Sequence, residues 1–228
     1  MFSLTPLSAT LGPVSFCHWP VDRASVAGSV PEWAAVETAD DTAWVTAVGY
    51  TVESVRAFGR SVGGPTEVVT VQVPVRGPTD QRGAYPLAVF CQRGSLSNAL
   101  SLFSFPIEPS AVDRSTVDGR LRRTVTVGGR HLLTAEHDTD LDAAATAPPD
   151  SLSGFLADRE RYFLDSSPGG PLVCSVGQPT WKLRAGAGTC RQQLLSWLGL
   201  PTPETDPLVH ASPGGSITLA PPVPAQFD

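Results

Sequence analysis

Two dipeptides, Asp118-Gly119 and Gly128-Gly129, most constrain what this chain can fold into. Both consist of residues that accept positive φ, as the two-residue turns of antiparallel hairpins require. Each is flanked by runs with strand character: Ser115 to Val117, Arg120 to Val127 and Arg130 to Glu136. The spacing predicts a three-stranded meander. In its central strand Leu121, Arg123, Val125 and Val127 alternate with Arg122, Thr124 and Thr126, so one edge is expected to be half exposed and to carry arginine.

Further strands are expected on both sides of it. Thr42 to Val52 is rich in β-branched and aromatic residues after the Asp40-Asp41 turn. Val68 to Val75 alternates closely, but Pro74 cannot donate to a ladder and should lie at an edge or a bulge. Tyr85 to Cys91 follows, with shorter candidates at Val14 to Cys17, Ala34 to Glu37, Leu172 to Val176 and Ser216 to Leu219. Helices are few. Asp22 caps a short one through Ser29, and Ser95 to Leu102 is a second. Ser151 to Leu164 carries Leu152, Phe155, Leu156, Arg159 and Phe163 at helical spacing, and Thr189 to Leu198 is the last. Asp138 to Asp150 reads as an acidic exposed loop. The class is α+β: a largely antiparallel sheet, closed or open, with helices packed on it. One domain is expected over residues 1–220, with a frayed Pro-rich tail over 221–228.

Composition narrows the partners. Net charge is −6, which disfavours nucleic acid because phosphate binding needs a basic face. The first residues, Met1 to Phe16, lack a basic region and are interrupted by Pro6, Gly12 and Pro13, which argues against a signal peptide. No apolar run nears the roughly 20 residues of a membrane-spanning helix. These features lead us to expect a cytoplasmic, soluble protein with no membrane partner. Cys17, Cys91, Cys174 and Cys190 are scattered, with no paired spacing that suggests a metal, so reduced thiols behaving as small hydrophobes are expected. Of sixteen basic residues only Lys182 is a lysine, and fourteen Asp outnumber eight Glu. Coding bias explains part of this, and an acidic, Lys-poor surface also suits high salt. Salt adaptation would show as an unfolding midpoint that climbs from low to molar salt; a flat response would remove the idea.

The familiar catalytic constellations are absent. The chain has no GxSxG elbow, HExxH or Walker loop. Gly186-Ala187-Gly188 lacks the third glycine and the βαβ setting of a dinucleotide site. Asp138, Asp140 and Asp142 begin like a calcium loop, but Ala143 and Pro149 stand where that loop needs Gly and Glu. Neither a metal nor a cofactor is expected. His18, in Cys17-His18-Trp19-Pro20, is either a turn-bonding group or a pocket-lining imidazole. Lys182 is the one side chain able to form a Schiff base, which would require desolvation or a neighbouring cation such as Arg184; the plainer reading is a solvated lysine at a strand edge.

Several short motifs carry a family resemblance. They are His18-Trp19-Pro20-Val21-Asp22 before a helix and Pro31, Ala43-Trp44-Val45, and Val75-Arg76-Gly77-Pro78 before Gly83 and Tyr85. Phe155-Leu156 with Arg159, Arg161, Tyr162 and Phe163 follows, then Trp181-Lys182-Leu183 and Pro207 to Gly214. In order and spacing the chain resembles the YqjF-like family, grouped with the acetoacetate decarboxylase-like superfamily, over nearly its whole length. The resemblance implies a cone-shaped antiparallel β-barrel with flanking helices and an internal cavity open to small molecules. It implies no reaction. The decarboxylases work through adjacent lysines, which this chain lacks. Family members also show a Glu-Leu-Asn-Val-Arg-type run in the strand ending at Arg76. Here that run is Val68 to Gln72, and Glu67 fits only with a slip of one, which turns it to the opposite face.

Three functional readings follow. The first is a non-enzymatic binder of a small organic ligand, with His18, Gln72, Arg76, Arg93, Trp181 and His210 as candidate anchors. The second is an enzyme on a small oxo-acid, with Arg76 or Arg93 clamping a carboxylate and His18 as acid or base. The third is a structural or interaction protein that uses exposed sheet edges.

Overall fold

Both glycine turns form where the sequence places them: Asp118, Gly119, Gly128 and Gly129 all adopt positive φ, between 51° and 82°. The computed structural model describes residues 6–57, 60–166, 170–186 and 188–226. In chain order its strands are β1 (Leu7–Val21), β2 (Ala35–Val36), β3 (Thr38–Ala39), β4 (Thr42–Ala57), β5 (Arg60–Gly63), β6 (Thr66–Arg76) and β7 (Arg82–Cys91). Then come β8 (Ile107–Pro109), β9 (Ala111–Val117), β10 (Arg120–Val127), β11 (Arg130–Asp138), β12 (Ala145–Thr146) and β13 (Arg161–Ser166). The last are β14 (Gly170–Gly177), β15 (Lys182–Ala185), β16 (Gly188–Gln192), β17 (Leu208–Ser212), β18 (Gly215–Leu219) and β19 (Val223–Pro224). The helices are α1 (Arg23–Ala27), α2 (Ser95–Leu102), α3 (Leu152–Ala157) and α4 (Leu194–Trp197).

Seven strands close a barrel in the order β1-β18-β14-β13-β7-β6-β4, with β4 returning to β1. All of its neighbours are antiparallel except β13 and β7, which meet in parallel at Tyr162 and Ala84. β1 is the closing element. One edge pairs with β4 from Ser8 to Val21, while the other pairs first with β18 and then with β17. Closure removes the open edges that an isolated sheet would expose. Pro74 falls where the neighbour of β6 changes from β4, last paired at Gln72, to β2 at Val75, so its missing N–H costs no ladder bond on that edge.

A second sheet, β16-β11-β10-β9, lies against the outside of the barrel. Strand alternation divides the apolar residues between two cores. Val14, Phe16, Val48, Val52 and Val68 pack inside the barrel. Cys17, Trp19, Val45, Ala47, Val69 and Val71 point outward and meet Val125, Leu132, Leu133 and Ala135 of the second sheet.

Arg123 lies in the apolar row of β10 and is fully buried at this junction. Its Nε donates to Glu67 Oε2 at 2.8 Å and its Nη1 to Ser15 Oγ at 3.0 Å, with a weaker bond from Nη2 to the Pro13 carbonyl. Thr51 donates to the other Glu67 oxygen at 2.6 Å. A Cβ on Gly49 would fall 2.9 Å from Ser15 Oγ and 3.0 Å from Arg123 Cδ, so glycine there makes the close approach possible.

Some expected elements take another form. The helix expected from Ser151 to Leu164 stops at Ala157: Asp158 turns extended, and Arg161–Ser166 is instead strand β13. Pairing with β14 decides the matter, because Tyr162 then faces the barrel interior and Phe163 the outer core. Gly188–Gln192, expected to begin a helix, instead extends the second sheet along β11, leaving α4 only four residues. Within the tail beyond residue 220, Val223 and Pro224 pair with Val173 and Leu172 of β14. All four cysteines are free thiols, three buried and Cys190 half-buried.

The Arg123–Glu67 pair joins the two sheets, and removing one partner leaves an uncompensated charge. We expect Glu67→Gln to lower the unfolding free energy by about 3 kcal/mol, and Glu67→Leu combined with Arg123→Met to recover most of that. Urea denaturation of the single and double variants checks this.

Candidate functional site

The barrel interior is built by the inward rows of its seven strands. β1 contributes Val14, Phe16 and His18, β4 contributes Thr46, Val48, Tyr50 and Val52, and β6 contributes Thr70 and Gln72. β13 adds Tyr162, and Gln178 and Trp181 follow β14. These residues, apart from His18 and Thr46, enclose a cavity of about 100 Å³ whose remaining wall is mostly aliphatic with Phe105, and α2 contributes Leu96 and Leu100.

Its polar groups are few and neutral. Tyr162 donates its hydroxyl to Gln72 Oε1 at 2.9 Å, and the Trp181 indole N–H donates to Gln178 Oε1 at 2.8 Å. The Tyr50 and Thr70 hydroxyls lie 3.3 Å apart. Burial pushes the pKa of both Tyr50 and Tyr162 upward, so each remains a neutral phenol. Among the described residues no Lys, Arg, Asp or Glu lines this space. The interior selects against a charge within the cavity itself.

Behind the wall formed by Phe16, Trp181 and Gln178 lies a second polar group. His18 stacks on Phe16 with ring centroids 6.0 Å apart and meets His210 edge-on at 5.2 Å. The β1–β17 pairing places His210 directly across from Phe16, which is how residues so distant in sequence meet. His18 Nδ1 lies 2.9 Å from Thr46 Oγ1, and His210 Nε2 lies 2.9 Å from Ser153 Oγ at the start of α3. Arg159, between α3 and β13, is only 3% exposed. Its Nη1 donates to Glu37 Oε2 at 3.0 Å, and its guanidinium covers the Phe155 ring. Gln178 ties this group to the cavity wall by donating to the Arg159 carbonyl.

The sequence-derived candidates therefore divide. Gln72 and Trp181 line the cavity, and His18 and His210 meet behind it. Arg76 is 41% exposed on the outside, paired with Glu37 at 3.3 Å and with Asp80 at 2.9 Å. Arg93 is exposed in the segment before α2. Neither can clamp a ligand in the cavity. Lys182 is exposed on β15, away from the interior, and Glu67 faces Arg123 rather than the cavity. Tyr50, Tyr162, Gln178 and Arg159 were missed as site residues. The signal for Tyr162 and Arg159 was hidden by the helical reading of their segment. Among the described residues no three His, Cys, Asp or Glu side chains converge as metal ligands. No helix among them is long and apolar enough to cross a membrane.

Burial holds the His18 pKa well below 6.5, reinforced by His210 and by the positive charge of Arg159. Burial also lowers His210 and His137. A lowered folded-state pKa means that the unfolded chain takes up protons the folded chain refuses. Stability is therefore unaffected by these groups above the unfolded value of 6.5 and falls as pH drops below it. We expect unfolding free energy to decline between pH 6.5 and 5 by up to about 1.4 kcal/mol per pH unit for each such histidine. His18→Gln should make that decline shallower, as denaturation at several pH values will show.

The chain superposes on an enduracididine biosynthesis enzyme, MppR, complexed with pyruvate, with a TM-score of 0.72, at 15% identity and over 98% of this chain and 91% of that one. An acetoacetate decarboxylase-like enzyme from Sphingomonas wittichii RW1 gives 0.65 at 11% identity, covering 96% and 92%. Acetoacetate decarboxylase from Legionella pneumophila gives 0.63 at 12%, covering 95% and 85%. At these identities the likeness concerns the fold: the barrel is of the acetoacetate decarboxylase-like kind. No curated protein sequence matches the chain significantly. A family model, described as an uncharacterized conserved protein (COG2071), matches residues 8–216, and the chain thus belongs to the DUF2071 family.

Proposed function

We propose that this protein binds a small organic molecule with an apolar body inside its barrel, without covalent chemistry on a lysine. The observation that carries this reading is the cavity itself: a charge-free interior with a mostly aliphatic wall and a few hydrogen-bonded pairs, Gln72 with Tyr162 the clearest of them. Binding pockets have this character, being apolar walls with a few placed polar groups. A filled barrel would have favoured a purely structural role.

The position of the arginines counts against the oxo-acid enzyme with a clamp at Arg76 or Arg93, because both stand outside the interior. The outward placement of Lys182 removes the amine that Schiff-base chemistry needs. The similar MppR structure holds pyruvate, which supports a small-molecule role for such a barrel, but the charge-free lining here points to a different body for the ligand.

The test uses 1-hexanol as the probe. At ten times its dissociation constant it should raise the melting temperature by about 3–6 °C, the effect of about 1.4 kcal/mol of linkage on a chain of this size. Val48→Phe, which places a ring in the cavity, should abolish the rise. Equal responses from both proteins, or no response from the wild type, would overturn the reading.

A further inference from the structure

We propose that Arg159, His18 and His210 form a carboxylate-binding compartment at the end of the barrel cavity, so that the ligand is a short aliphatic carboxylate with its chain in the cavity and its head on Arg159. This rests on the ligand-binding reading above and gives its ligand a chemical class.

The first ground is where hydrogen-bonding capacity goes unmet. Among the described residues eight buried side-chain nitrogen and oxygen atoms have no partner, and four of them lie here: His18 Nε2, His210 Nδ1, and Nε and Nη2 of Arg159. All three side chains are at least 97% buried, so water does not serve these atoms from outside. Leaving a buried polar group unpaired costs about 1–3 kcal/mol each. Such a concentration of unmet groups marks a place where a ligand completes the structure.

The second ground is the sign of those groups. The other ring nitrogens of His18 and His210 face the hydroxyls of Thr46 and Ser153, each at 2.9 Å. Nε and Nη2 of Arg159 are N–H donors whatever the imidazoles do, and where the hydroxyls donate, each ring carries its proton on the free nitrogen, so that all four unmet atoms are donors. Their complement accepts only, and a carboxylate offers two such oxygens in the geometry that a guanidinium prefers.

The third ground is charge. Arg159 shares Glu37 with Arg76 and Arg82, which approach the same carboxylate at 3.3 and 2.6 Å. Among the described residues Arg76 also pairs with Asp80, and Asp158 acts on Arg159 as a further negative charge. Glu37 is nevertheless the carboxylate that all three guanidiniums divide among them, and the most buried of the three is the one with free donors. An arriving anion meets those donors where the shared carboxylate is most divided.

The fourth ground is adjacency. Phe16 lines the cavity and stacks on His18, and Gln178 lines it and donates to the Arg159 carbonyl, so this layer of the cavity wall adjoins the compartment. In this structure that layer is closed, held by the Trp181–Gln178 hydrogen bond. A carboxylate head displaces this layer to reach Arg159, and its chain occupies the space behind.

Hexanoate and 1-hexanol, which share their chain length, distinguish head from body. By calorimetry, wild-type protein should bind hexanoate at least tenfold more tightly than 1-hexanol. Arg159→Gln should lose that advantage while keeping its affinity for 1-hexanol. Nitrogen-15 spectra of wild-type imidazoles give a readout that does not depend on a variant folding. His18 should show its proton on Nε2 and His210 on Nδ1, and both signals should move with hexanoate but not with 1-hexanol. Binding of 1-hexanol without tighter binding of hexanoate would overturn the carboxylate compartment and leave the cavity reading standing. Hexanoate binding that leaves both imidazoles unmoved, or that persists undiminished in Arg159→Gln, would also overturn it. Failure of both probes to bind would overturn both readings.

Discussion

The double pairing of β1 is the constraint on which the rest of the molecule hangs. A strand that keeps β4 along one edge and gives the other to β18 closes the barrel, because β18 and β4 are already joined through β14, β13, β7 and β6. Once its register is set, its pleat decides the fate of every neighbour. Val14, Phe16 and His18 are committed to the interior, and Cys17 and Trp19 to the junction with the second sheet. A slip of one residue would put His18 under the second sheet and Trp19 in the cavity. The cavity, the histidine pair and the outer core are thus consequences of one registration.

That registration also explains the treatment of charge. Glu67 lies on the outward face of β6, where Arg123 reaches down from β10 to meet it. The pair is desolvated, so its contribution is better regarded as fixing where the second sheet sits than as raising stability. Thr51 and Ser15 complete its hydrogen bonds, and Gly49 clears its path. On the other side of the same strands the interior stays free of charge. Moving the acid across the pleat therefore changes both faces together: the cavity loses a carboxylate and the sheet junction gains one.

Much of this was legible in the sequence because it is local. Turn residues that accept positive φ define the meander without reference to anything distant, and the Asp22 cap of α1 is equally local. The family motifs contain His18, Trp181 and His210, which the structure brings to the cavity wall or just behind it. What could not be read depends on partners far along the chain. Phe155 to Phe163 satisfies helical spacing, yet β13 forms because β14 and β7 hold it, and neither neighbour is visible from within the segment. Arg123 stands in an apolar row with nothing local to announce Glu67, 56 residues away. Arg76 and Arg93 carry the right chemistry for a carboxylate, but their exposure follows from pairings with Glu37 and Asp80 and from the course of a loop.

Arg76 and Arg159 offer a carboxylate the same chemistry from different settings. Both guanidiniums pair with Glu37 and so stand within reach of the same acid. They differ in environment. Arg76 is 41% exposed, and water screens its charge and satisfies its remaining donors. Arg159 is covered by Phe155 and backed by two buried imidazoles, so its charge acts through a medium of low polarizability. The same cation is worth far more to an anion in the second setting, where its free donors have no water to turn to. A barrel that keeps its cavity neutral and sets a desolvated arginine just beyond the wall would separate the two halves of an amphiphile: the apolar wall would accommodate the chain, and the buried donors behind it would select the head.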